Sequence, residues 1–200
     1  MRKSVLEQSW FYLAVIFSFA AGHCIDLLGT WLYQPDFEHE VNPLYLTLKP
    51  YGVRPTWTVV ICGKVLTVLL AVISVYYFRS YRRACYPDSG GDFRSFTTHF
   101  FYGRVLTWKE ALWRIPLVRP TLLMILMSWS LGGPYYAWLG YENLAYKYGW
   151  WTLGGFWIGS YWFTWGLFIC VATVLPMCLL LLFRDYQFTP SLTTSTPAER

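Results

Sequence analysis

Hydrophobic positions fall into four long runs, over 10–33, 57–78, 116–139 and 150–183, divided by polar segments at 34–56, 79–114 and 140–149. A helix needs about 20 predominantly apolar residues to cross a bilayer, and each run meets that length. Lipid offers no partner to a backbone N–H or C=O, so such runs must close their hydrogen bonds internally, as helices. The pattern predicts an all-α membrane protein of four transmembrane helices. Gly132-Gly133-Pro134 predicts a weakened or kinked outer end for the third span. The fourth is longer than a bilayer requires and carries Pro176, which predicts a tilt, a kink or a projection beyond the membrane.

The polar segments have signals of their own. Arg2 and Lys3 before an apolar run resemble a signal peptide, and Ala20 to Cys24 faintly resembles a lipoprotein cleavage box. His23 stands where that box needs a small residue, and the run continues to Tyr33, so an uncleaved first helix is expected. Asn42-Pro43 reads as a helix start, Asn at the N-cap and Pro at the first helical position, opening a short interfacial turn or helix over 44–48. Thr107-x-x-Glu110 is a capping box, which predicts a short amphipathic interfacial helix ending before Pro116. A single membrane domain over 10–183 is thus expected between a cytoplasmic N-terminus, 1–9, and a Ser/Thr/Pro-rich tail, 184–200, expected to be disordered and cytoplasmic.

A composition of 56% hydrophobic and 21% aromatic residues is too apolar for an ordinary soluble domain. The net charge of +5 is not a nucleic-acid signature, because its carriers cluster beside the apolar runs. The second polar segment holds Arg79, Arg82, Arg83, Arg94, Arg104, Lys109 and Arg114 against Asp88, Asp92 and Glu110, while the first is mildly acidic and the third balanced. The positive-inside rule then places both termini and the second segment in the cytoplasm, with the protein in the plasma (cytoplasmic) membrane. The five cysteines form no Cys-x-x-Cys pair and read as small apolar fillers. No His-Glu-x-x-His or Gly-x-Ser-x-Gly occurs, so no metal, cofactor or nucleophile is expected.

The chemistry worth following lies inside the first two runs. His23, Asp26, Thr30 and Tyr33 share one helical face, and Val60, Lys64, Thr67, Ala71 and Ser74 share another. Asp26 and Lys64 each lie seven residues inside the outer end of their run, roughly 10 Å deep at 1.5 Å per residue. A lone charge at such depth costs about 2.5 to 3.5 kcal/mol on insertion scales, so the two are expected to meet. The outer segment Glu38-His39-Glu40-Val41-Asn42-Pro43 offers further partners, with Glu40 folding back towards Lys64. The candidate polar cluster is Asp26, Thr30, Glu40, Asn42 and Lys64, with His23 and Glu38 as additional members. It is either a register lock between helices or a working site, catalytic, ion-conducting or ligand-binding.

The fourth run sets Gly155, Gly159 and Gly166 against Trp157, Trp162 and Trp165. That pattern serves bundle packing and lipid contact, or docking onto a partner membrane protein or a flat hydrophobic ligand.

Asp26-x-x-x-Thr30, Glu40-x-Asn42-Pro43 and Lys64 in the next helix together resemble a family of small multi-pass prokaryotic membrane proteins of unknown function. The resemblance covers 22–78 and implies that the five residues belong together; it brings no activity, cofactor or substrate. The expected function is a non-enzymatic accessory or scaffold subunit of a larger membrane assembly, with the bilayer and a membrane-protein partner as its contacts. The alternative is a small proton- or ion-coupled transporter or intramembrane enzyme, in which Asp26 or Glu40 exchanges protons and Lys64 holds an anionic group.

Overall fold

The structure, a computed structural model, describes residues 4–37, 47–88, 91–150 and 161–188, the last with side chains from 172 onward. Every regular element among them is helical. The long helices are α1 (Ser9–Tyr33), α2 (Val53–Tyr81), α5 (Val118–Ser130), α6 (Gly133–Tyr148) and α7 (Tyr161–Phe188), with the shorter α3 (Phe93–Tyr102) and α4 (Trp108–Leu112) between α2 and α5. Single 3-10 turns precede α1 and α2 and extend α2 through Arg82–Cys85.

Among the described residues, two helices are long and apolar enough to cross a membrane: α1, and α2 with its extension to Cys85. Their mean hydropathies are 1.8 and 2.4 over the most apolar windows. Only 28% and 22% of those windows is buried. A core helix of a soluble protein would be mostly covered; these two turn Leu13, Phe17 and Leu28, and Val65, Leu66 and Ile73, outward.

The contacts set the course of the chain. Trp57 donates to the Pro35 carbonyl at 2.7 Å, Lys64 pairs with Asp26, and the Arg79 guanidinium lies 5.4 Å from the Tyr12 ring, so α1 and α2 run antiparallel. Phe19 meets Tyr136, Asn143 reaches Thr30, and Lys147 donates to the Leu32 carbonyl, so α6 runs parallel to α1. Ser128 on α5 touches Cys178 on α7, and Asp185 bonds Ser4 near the start of the chain. The described N-terminal residues and the end of α7 therefore share one end of the bundle, the terminal end.

The third apolar run breaks where Gly132-Gly133-Pro134 predicts a weakened or kinked end, and departs from expectation beyond the break. It is not one helix over 116–139 but two, α5 and α6, broken at Leu131-Gly132 and then helical to Tyr148. Pro134 lies in the first turn of α6, and without an N–H it cannot continue the ladder to Ser130. The expected loop over 140–149 is the body of α6, which stops at Gly149 with φ of 67°, a left-handed conformation that glycine adopts without strain. The long contact of α6 with α1 explains the extension.

That contact is a seam of glycines. A Cβ on Gly22 would stand 2.9 Å from the Gly133 carbonyl carbon, and one on Gly29 would stand 2.9 Å from the Gly140 Cα. Both pairs are seven residues apart on their helices, so two turns of backbone pack directly on backbone. Around the terminal end, Tyr12, Val15, Phe78, Leu123, Met127 and Leu182 form the main core, into which α3 inserts Phe96 and Phe100. A smaller cluster at the far end joins Phe37, Trp57 and Val60. Phe37 accepts a φ of 60°, uncommon for a non-glycine residue, with its ring buried 4.7 Å from that of Trp57.

Two further corrections concern the terminal end. The basic segment holds α3 in addition to the capped α4, and the last helix runs through Phe188, so 184–188 belong to the bundle and not to a disordered tail. Residues 189–200 lie outside the described residues.

Candidate functional site

Asp26 and Lys64 form a salt bridge, Nζ to Oδ2, with side chains 13% and 18% exposed. The helical repeat dictates the local arrangement. His23, Asp26 and Thr30 lie on the buried face of α1, and on α2 Val60, Ala71 and Ser74 are buried with Lys64 and Thr67 half-buried between them. The Thr30 hydroxyl donates to the Asp26 carbonyl at 2.9 Å and accepts from Asn143 Nδ2 at 3.3 Å, tying α1 to α6. Lys64 Nζ also lies 5.3 Å from the centroid of the Tyr136 ring, a cation–π distance.

The glycine seam holds this site in place. A Cβ on Gly140 would fall 2.6 Å from the Asp26 amide nitrogen, so α6 bears on the backbone that carries the carboxylate. Tyr136 continues the polar face to His23, whose ring lies 3.9 Å from that of Tyr136 and 4.6 Å from that of Phe19. His23 is only 4% exposed, and neither ring nitrogen has a hydrogen-bond partner among the described residues. The arrangement neutralises one acid with one base and leaves an aromatic-walled imidazole one turn away.

Of the residues expected together, Asp26, Thr30 and Lys64 meet, with His23 on the same face. Glu38, Glu40 and Asn42 lie outside the described residues, as do Gly155, Trp157 and Gly159; Gly166, Trp162 and Trp165 fall in α7 where only the backbone is described. Asn143 and Tyr136 are members that the pattern missed, because 140–149 read as a loop and Tyr136 as part of the third run's weakened outer end. Glu142, expected in that loop, is 9% exposed on α6 and accepts from Trp138 Nε1 at 3.0 Å. Among the described residues no three His, Cys, Asp or Glu side chains converge as a metal site. Cys24 and Cys62 face outward and Cys178 fills the core; with Cys85 they are free thiols.

A second polar cluster closes the terminal end. Arg82 donates from Nε to Asp185 Oδ2 at 3.0 Å, from Nη2 to the Leu6 carbonyl at 2.8 Å and from Nη1 to the Arg79 carbonyl at 2.7 Å. Asp185 also accepts from Tyr86 at 2.8 Å and from Ser4. Burial, reinforced by the Asp185 carboxylate, pushes the Tyr86 hydroxyl far above its usual range, so it stays a donor. Both charges have a partner and most of their hydrogen-bonding capacity filled, which a buried ion pair requires. Arg82 read only as a topology charge, since its partner lies 103 residues away.

The chain matches no family model, and no curated protein or solved structure is significantly similar to it.

Proposed function

We propose that this is an integral membrane protein of four spans, α1, α2, the broken α5–α6 pair and α7, with the terminal end in the cytoplasm. Its proposed role is that of a non-enzymatic accessory or scaffold subunit of a larger membrane assembly in the plasma membrane. The alternating helix directions support four crossings, and Arg79, Arg83, Arg94, Arg104 and Arg114 accumulate in the segment that closes the terminal end. The observation that carries the scaffold reading is the closed Asp26–Lys64 pair: its charges neutralise each other, and Thr30 and Asn143 tie the backbone of Asp26 to α6. A bundle locked in this way leaves an apolar exterior free for lipid and for a partner chain. The resemblance through Asp26, Thr30, Glu40, Asn42 and Lys64 is carried in the same proposal, as a shared lock. The test is gentle solubilisation followed by sizing under conditions that preserve complexes; a lone monomer sinks the subunit reading.

The buried nitrogens of His23, without a hydrogen-bond partner among the described residues, favour a second reading, a proton- or anion-handling site spanning His23, Asp26 and Lys64. It requires Asp26→Glu or His23→Phe to abolish function with protein level intact. Equal loss of abundance across the cluster variants sinks it.

A further inference from the structure

We infer that the segment from Trp108 to Val118 is a docking platform for anionic phospholipid, seated in the cytoplasmic leaflet of the membrane that the bundle crosses. This rests on the four-span reading above. Leu112, Trp113, Ile115 and Val118 are 83%, 87%, 93% and 81% exposed, and Trp108 is half exposed, in a segment of eleven residues. The platform is held rigidly. Tyr102 donates to the Ala111 carbonyl at 2.9 Å, the Leu117 N–H donates to the Phe101 carbonyl at 2.7 Å, and Ala111 is buried against the fold. Trp108 and Leu112, four residues apart on α4, are exposed, and so is Ile115 just beyond its end.

Two observations fix the occupant. The apolar surface does not stop at Val118: Leu122 and Ile125, one and two turns further along α5, are also exposed, so the platform is continuous with the outward stripe of a proposed span. What covers that stripe, lipid, is in place to cover the platform. Exposed cations then edge it: Arg104, Lys109, Arg114 and Arg119, the last stacked 4.7 Å over the Tyr81 ring. A shallow concavity is lined by Lys109, Glu110, Trp113 and Arg114. The one acid there, Glu110, accepts from the Thr107 N–H at 2.8 Å and hydroxyl at 2.7 Å, so its charge serves the helix cap. Apolar side chains set beside an excess of cations match a bilayer surface bearing phosphate, where aromatic rings and basic residues both lodge.

The experiment uses the full chain in bilayers of equal parts phosphatidylcholine and phosphatidylglycerol. Retention after an alkaline carbonate wash is read first, then the ratio of the two lipids bound on gentle release, by native mass spectrometry. The expected result is retention with phosphatidylglycerol enriched, and enrichment reduced about fivefold or more in the Arg104→Gln/Lys109→Gln/Arg114→Gln/Arg119→Gln variant, the effect of even one basic residue at an anionic surface. Independently, the emission lost between the wild type and Trp113→Phe should be quenched by lipids brominated along the acyl chain. Retained protein with no enrichment, unaltered enrichment in the quadruple variant, or an unquenched Trp113 overturns the platform alone. Release by carbonate overturns the four-span reading and the platform with it.

Discussion

Arg82 and Asp185 are joined at 3.0 Å across 103 residues of sequence, and their side chains are 5% and 0% exposed. The pair fastens the last turn of α7 to the end of α2, and through Ser4 and the Leu6 carbonyl it also gathers the first described residues. A helix end that would otherwise fray is thus anchored by a charge that cannot reach water.

Removing one partner should therefore cost more than removing both. Asp185→Ala leaves the Arg82 guanidinium buried without its carboxylate, at about 3 to 5 kcal/mol. Arg82→Met with Asp185→Leu should recover much of that loss. Unfolding in graded detergent or denaturant, with membrane abundance alongside, reads both; a double variant no better than the worse single one contradicts the clasp.

The same logic applies to Asp26→Asn, Lys64→Met and their combination, each single change costing on the order of 3 kcal/mol and the pair less. Here the Asp26→Lys/Lys64→Asp exchange adds a finer test. A recovered melting temperature places the two charges in contact, while single variants as stable as wild type show that the charges do not hold the helices together.

The glycine seam predicts sharp size dependence. Gly133→Val and Gly140→Val must force α6 from α1, and overpacking a filled contact costs about 1 to 3 kcal/mol or more. Gly63→Ala on α2 is the control: nothing lies within 4 Å of its added Cβ, and alanine favours a helix interior by roughly 1 kcal/mol. Thermal scans of the three variants should show two losses and no loss at Gly63.

Acid should loosen α4 before the rest of its surroundings. The Thr107 N–H and then its hydroxyl hold the exposed Glu110 carboxylate below its ordinary pKa of 4.5. A depressed folded pKa gives a contribution that is complete above the unfolded value and lost as pH falls through the lower, folded one. The protection of the Glu110 amide, whose N–H donates to the Thr107 hydroxyl, should fall below pH 4.5 when its exchange is referred to the intrinsic rate at each pH. Thr107→Ala should produce the same loosening at neutral pH, at about 1 kcal/mol.

Periodicity alone made the local geometry legible. The first helix ends at Tyr33 as its apolar run does, the Thr107–Glu110 capping box forms, and the polar faces of α1 and α2 bring Asp26 and Lys64 together. Each depends on residues a few positions apart, or on a charge that needs its opposite once it is taken out of water. What the chain order concealed depended on neighbours. Residues 140–148 are polar and aromatic enough to read as a loop, yet they are helical because Gly22 and Gly29 let α6 lie against α1, and a helix packed along its length keeps its hydrogen bonds. Asp185 read as the first residues of a tail, and only the approach of Arg82, Tyr86 and Ser4 made burial of its charge affordable. Sequence determined that the apolar runs are helical and that Asp26 and Lys64 need partners, since both follow from local spacing and solvation; the tertiary structure decided where helices continue and which other charges are buried against distant partners, because those depend on surfaces that exist only once the chain has packed.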